Sequence, residues 1–267
     1  MKIVGEYTDR IVNGAGCGGV EAQGKMFINA GVAASGAGFE QSTFTVYAFD
    51  DAKYDAKAQN PEENSPFPAL VFKDKTNTNT LGNIDGTIGS SNNSGQLPAT
   101  TLRRDSHGGA ATIDGKYVHF ADRIQNIIEV FDAATYERVS TYDLVSSNGK
   151  SGRQGPAGTC LAKSVLDDRT LQLNDPAPDL MELTPDGKYL MVAFRGPVPV
   201  SVSHSAQGSC PGVGIVELLE NGKSGKLVDI LRSTNMVDNV SVGNIVGGTN
   251  YTGTERSDVH SAIVVAR

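Results

Sequence analysis

Residues 107–144 read HGGAATIDGKYVHFADRIQNIIEVFDAATYERVSTYDL, and this stretch decides the fold. Short apolar runs at Gly108 to Ile113, Tyr117 to Ala121, Asn126 to Asp132 and Arg138 to Leu144 are separated by turn signals. Asp114-Gly115 lies between the first two, and Asp-Gly between apolar runs marks a hairpin because its turn calls for positive φ. Ala133 to Glu137 separates the last two. The pattern predicts four antiparallel strands in 38 residues, near the roughly 40–45 of one blade in a radial all-β repeat.

The unit recurs. Thr184-Pro185-Asp186-Gly187-Lys188-Tyr189-Leu190-Met191-Val192-Ala193 repeats Thr112 to Ala121. A weaker copy runs from Ala22 to Ala30, where Gln23 stands in place of the Asp and Gly24 keeps the turn glycine. Third strands are expected at Thr43 to Asp50 and Val213 to Leu218, and outer strands at Ala69 to Lys73 and Lys226 to Leu231. The units therefore span residues 16–73, 107–144 and 179–232.

The run IDGKYVHFADRIQNIIEVFDAATYERV resembles the YVTN-type β-propeller repeat, whose units read approximately PDGKYLYVAN…NTVSVIDTATGKVV. The likeness is strongest in the middle unit, weaker over 179–232 and weakest over 16–73. It departs at two insertions, Gly196 to Gly212 and Lys53 to Pro68. It implies an all-β fold, a β-propeller of four-stranded antiparallel blades. The family includes lactonase-like enzymes, haem-containing and quinoprotein dehydrogenase subunits, and surface proteins without known chemistry, so architecture is implied and activity is not.

Lys2 to Tyr7 reads as the outer strand of a preceding blade, and His260 to Ala266 as the inner strand of a following one. The expectation is one domain over residues 1–267, with three complete blades and partial blades at both ends: an incomplete ring, as of a fragment. Its open blade edges would favour self-association.

Composition narrows the partners. A net charge of −7, with no clustered Lys and Arg, argues against nucleic acid. No apolar run approaches the roughly 18 residues of a membrane helix. The first ten residues carry charges at Lys2, Glu6, Asp9 and Arg10 with no apolar core after them, so no signal peptide is read there. A periplasmic or extracellular location is expected if the true start lies upstream. Cys17, Cys160 and Cys210 show no CxxC spacing, and Cys160 and Cys210 are expected to approach each other on long loops of one face. The glycine-rich run Gly14 to Gly19 precedes a strand, which argues against a phosphate cradle.

Aligning the units by their turns puts His107, Asp179 and His260 in register at the start of innermost strands, with Gly16 at the same position of the first unit. In a propeller these side chains gather at one mouth of the central channel, as a hydrated structural lining or as a ligand-binding cluster. Asp105 and Asp258 stand two residues before the histidines, on the same side of an extended chain, where they could orient the imidazoles. A transition metal would take His107 and His260, with His204 from the Gly196 to Gly212 insertion as a third ligand. His119 aligns with Met191 and Ile28 at an apolar position and reads as a satisfied core histidine. Arg123 and Arg195 align after the second strands, to hold backbone carbonyls or to meet an anionic ligand.

Five long connections, Gly31 to Ser42, Asp74 to Ser106, Val145 to Pro178, Gly196 to Gly212 and Ser233 to Asp258, would emerge on the face carrying these residues. The leading expectation is a binding scaffold that engages a small molecule or a protein at that face. The rival is a lactonase-like hydrolase or metal-dependent oxidoreductase with His and Asp at the channel mouth.

Overall fold

Thr112 shows why the repeated turn forms. Its Oγ1 donates to Asp114 Oδ1 at 2.7 Å and accepts from the Tyr117 N–H at 3.0 Å, while Lys116 N donates to Asp114 Oδ1 at 3.0 Å. Thr184, Asp186, Lys188 and Tyr189 reproduce the set at 2.7, 3.1 and 3.0 Å. With the side chains closing the loop, only the glycine adopts positive φ, +67° at Gly115 and +71° at Gly187. In the first unit Gln23 and Gly24 both do so, at 52° and 69°, making a two-residue hairpin turn.

The structure, a computed structural model, describes residues 3–8, 11–12, 16–30, 44–55, 57, 65–74, 104, 106–123, 126–144, 176–196, 211–233, 236–237, 254–255 and 258–265. Around the turns lie three four-stranded antiparallel sheets. The first is β1 (Gly16–Ala22), β2 (Lys25–Ala30), β3 (Phe44–Asp50) and β4 (Ala69–Asp74). The second is β5 (Ser106–Ala111), β6 (Tyr117–Asp122), β7 (Ile127–Asp132) and β8 (Arg138–Asp143). The third is β9 (Ala177–Leu183), β10 (Tyr189–Arg195), β11 (Gly212–Leu219) and β12 (Ser224–Arg232). A short pair, β13 (Met236–Val237) with β14 (Thr254–Glu255), forms within the stretch expected to be a loop. Among the described residues there is no α-helix, and none long and apolar enough to cross a membrane.

Period-two alternation explains the stacking. In β6, Val118 and Phe120 face the first sheet and pack with Phe27, Phe44 and Val46. Tyr117 and Ala121 face the third and pack with Leu190, Val192, Phe194 and Val216. The middle sheet is thus buried on both sides, with Phe120 and Phe131 each contributing roughly 1.5–3 kcal/mol by burial. Strand β1 lies beside β5, and β5 beside β9. The sheets are successive blades of a β-propeller, with these three strands innermost.

Each blade is clipped to the next by polar contacts. Asn29 Nδ2 donates to Gly108 O at 3.0 Å, and Asn126 Nδ2 to Pro176 O at 2.6 Å. The end segments behave differently from the sequence expectation, since residues 3–8 and 258–265 join no sheet. Tyr7, Ile11 and Val12 instead cover the outer face of the first blade against Ala30, Phe49 and Tyr54, with Tyr7 donating to Pro66 O at 2.5 Å. Near the other end, Val264 N donates to Glu182 Oε2 on β9 at 3.2 Å. Side-chain packing, not strand pairing, holds the first of these segments.

Candidate functional site: an axial His, Asp and Arg cluster

All three inner strands carry a register break at the same place: between Gly16 and Gly18 in β1, between His107 and Gly109 in β5, and opposite Val192/Phe194 in β9. A bulge inserts a residue and re-aims its neighbours. In β5 the inserted residue is Gly108, at φ +54°, where a Cβ would collide with the Asp179 carbonyl. Glycine therefore lets β5 and β9 approach closely enough for His107 and Asp179 to meet.

His107 Nε2 stands 2.6 Å from Asp179 Oδ1. Around Asp179 Oδ2 gather Arg195 Nε at 3.3 Å, His260 Nδ1 at 3.5 Å and Arg123 Nη1 at 3.7 Å. The His107 and His260 rings lie edge to face with centroids 5.9 Å apart. Arg195 Nη1 donates to His260 Nδ1 at 2.7 Å, and its Nη2 donates to Asp258 Oδ2 at 2.6 Å. Asp258 also accepts the Gly196 N–H at 3.2 Å. Since Nδ1 of His260 accepts, its Nε2 carries the proton in the neutral ring.

The cluster is enclosed, except for His260. Burial pushes the Asp179 carboxyl up, but the hydrogen bond and charge of His107, with Arg123 and Arg195, outweigh it and hold Asp179 below the usual carboxylate range. Burial lowers Arg195 from its ordinary value, and the like charge of Arg123 adds to this against the pull of Asp258 and Asp179. His260 is lowered too, first by burial and then by Arg195, His107 and Arg123, with Asp179 opposing. Its imidazole is therefore neutral at neutral pH.

The sequence-expected residues His107, Asp179, His260 and Asp258 come together here. Asp258 accepts from Arg195, which in turn donates to the His260 ring. Arg123 and Arg195 meet carboxylates. Asp105, His204, Cys160, Cys210 and most of the long connections lie outside the described residues. His119, as expected, is a buried core histidine: Nε2 donates to Gly222 O at 2.9 Å and Nδ1 pairs with Tyr142 Oη at 3.1 Å.

A metal has ligands here in principle, because one atom each from His107, Asp179 and His260 lie within 4.8 Å of one another. Arg195 occupies much of that position, bridging Asp179 Oδ2 and His260 Nδ1, and Arg123 is a second fixed cation beside it. A divalent ion would have to displace a guanidinium and sit next to another.

No family model matches the chain, and no curated protein does. Among solved structures it is similar to a hypothetical selenium-binding protein from Sulfolobus tokodaii, with 9% identity and a TM-score of 0.44 over 91% of this chain and 43% of that one. A protein from Lactobacillus plantarum matches at 8% identity and TM-score 0.40, over 79% and 42%. The periplasmic gluconolactonase of Pseudomonas aeruginosa matches at 9% and 0.30, over 93% and 71%. The chain spans less than half the length of the first two.

Proposed function

We propose that this chain is a propeller binding scaffold whose axial cluster takes a small molecule at one mouth of the inner strands. The observation that carries this reading is the convergence of His107, Asp179 and His260 within 4.8 Å, from two neighbouring inner strands and the chain segment after them. A rigid, largely buried set of polar groups with one exposed member suits recognition, since the groups need no reordering when a ligand arrives.

A thermal-shift screen of small polar molecules against the wild type and H260A tests it. Hits should stabilise the wild type and lose their effect in H260A, which keeps its buried framework. Hits that stabilise both equally would end the reading.

The 2.6 Å His107–Asp179 contact favours a second reading. A histidine oriented by a buried carboxylate is the arrangement of a general base, as a lactonase-like hydrolase would use. Hydrolysis of simple lactones and esters, abolished in H107A, would support it; no turnover above buffer would remove it. Metal analysis of the purified protein tests the oxidoreductase form of the same reading.

A further inference from the structure

We infer that the ligand of this cluster is a small anion, a carboxylate or an inorganic oxyanion, received by the exposed imidazole of His260 with cationic groups behind it. The inference rests on the binding reading above and names its ligand class.

Side-chain exposure within the cluster is 46% for His260, 7% for His107 and 4% for Arg123, then 1% for Arg195 and Asp258 and none for Asp179. The surface offered to solvent is thus made by nitrogen groups, and both carboxylates are shut away beneath them. Among the described side chains of the cluster, a ligand meets the imidazole of His260 before either carboxylate. A cationic ligand needs carboxylate oxygens, but Asp179 is surrounded by His107, Arg123, Arg195 and His260, and Asp258 by Arg195 and the Gly196 N–H.

Charge balance points the same way. Arg123 and Arg195 stand against Asp179 and Asp258, and both carboxylates are already engaged by these cations, so the charge left to meet a ligand is not negative. An anion at the His260 ring would lie beside the Arg195 guanidinium, whose Nη1 is 2.7 Å from His260 Nδ1. The groups facing His260 are Asp179, Arg195, His107 and Arg123.

The experiment is titration of the full chain with inorganic phosphate and with acetate, followed by calorimetry and by the imidazole NMR signals of His260. Saturable binding is expected, weakened about tenfold or more in H260A. Circular dichroism of H260A shows whether the fold is kept, and R123K offers a second variant that preserves charge but loses the planar fork. Equal binding to wild type and H260A marks surface association and overturns the inference. Phosphate and acetate leaving His260 unmoved, while Zn²⁺ or a neutral small molecule moves it, overturns the anion class and leaves the site standing. Silence to every one of these probes overturns both readings.

Discussion

Arg104 Nη1 meets Asp74 Oδ2 at 2.5 Å, joining two residues 30 positions apart, so the chain leaves β4 and re-enters at β5 through one ion pair. The other arms of Arg104 reach Asp122 Oδ2 and Glu129 Oε1, each at 2.5 Å, and its guanidinium lies 4.8 Å from the Phe44 ring centroid. Burial works against the charge, but Asp122 and Glu129 outweigh it and hold Arg104 above its ordinary range. Glu129 further accepts from Thr141 and lies 3.6 Å from Arg138.

Replacing Arg104 by Met should be among the most damaging single changes in the chain. It removes the buried cation that Asp122 and Glu129 share, leaving Glu129 only Arg138 at 3.6 Å, a loss of about 3–5 kcal/mol. Denaturant unfolding measures it. Adding D122N and E129Q to R104M should recover part of the loss, because the stranded charges go with the arginine; an additive further loss would contradict this account.

His119 makes acid sensitivity of the fold predictable. Its pKa is lowered to about 4, by burial first, with the Gly222 hydrogen bond opposing. An unfolded histidine titrates near 6.5, so the unfolded chain takes up the proton first. Stability from this residue is full above about pH 6.5, falls as pH drops toward 4, and levels off below, a change of about 3 kcal/mol. In H119F that slope should vanish, and the Tyr142 hydroxyl and Gly222 carbonyl, left without their partner, should cost about 1–3 kcal/mol each.

Two glycines separate backbone strain from close approach. Gly24 has φ +69° and a Cβ there would meet nothing within 4 Å, whereas Gly108 has φ +54° and a Cβ there would press on the Asp179 carbonyl and on Leu180. G24A should cost only the left-handed strain, about 1–2 kcal/mol. G108A should cost more, and should also disturb the His107–Asp179 contact, seen as a shift of the His107 NMR signals that G24A lacks. Equal stability losses would show that β5 and β9 have room to separate.

Asp179 holds the axial cluster by charge. D179N leaves Arg123 and Arg195 enclosed with less countercharge and should destabilise by roughly 3–5 kcal/mol. His260 should then titrate at still lower pH, since Asp179 is the group that raises it. Because Asp179 is held below the unfolded carboxylate value, its contribution is present above about pH 4 and is lost as pH falls through its folded pKa. An NMR titration of His260 and acid-unfolding curves of the two proteins check both statements.

The strands and their turns were legible along the chain because their causes are local. Thr112-Ile113-Asp114-Gly115 closes its own loop, and period-two alternation assigns Val118 and Phe120 to one face and Tyr117 and Ala121 to the other without knowledge of the neighbours. The register of His107 with Asp179 followed from repeat alignment, since equivalent positions of successive blades map onto one axis. Arg104 carries no such signal. Its partners Asp74, Asp122 and Glu129 come from three different strands, and their meeting depends on how the first blade stacks on the second. The same holds for Arg195, which aligns with Arg123 in sequence yet stands between Asp179 and His260 in space. Lys2 to Tyr7 likewise reads as a strand along the chain, but residues 3–8 join no sheet, and Tyr7 packs against the apolar face of Ala30, Phe49 and Tyr54. Hydrogen bonding along a hairpin is specified within a few residues of chain, whereas charge pairing and face-to-face packing depend on the relative placement of whole sheets, which no local pattern encodes.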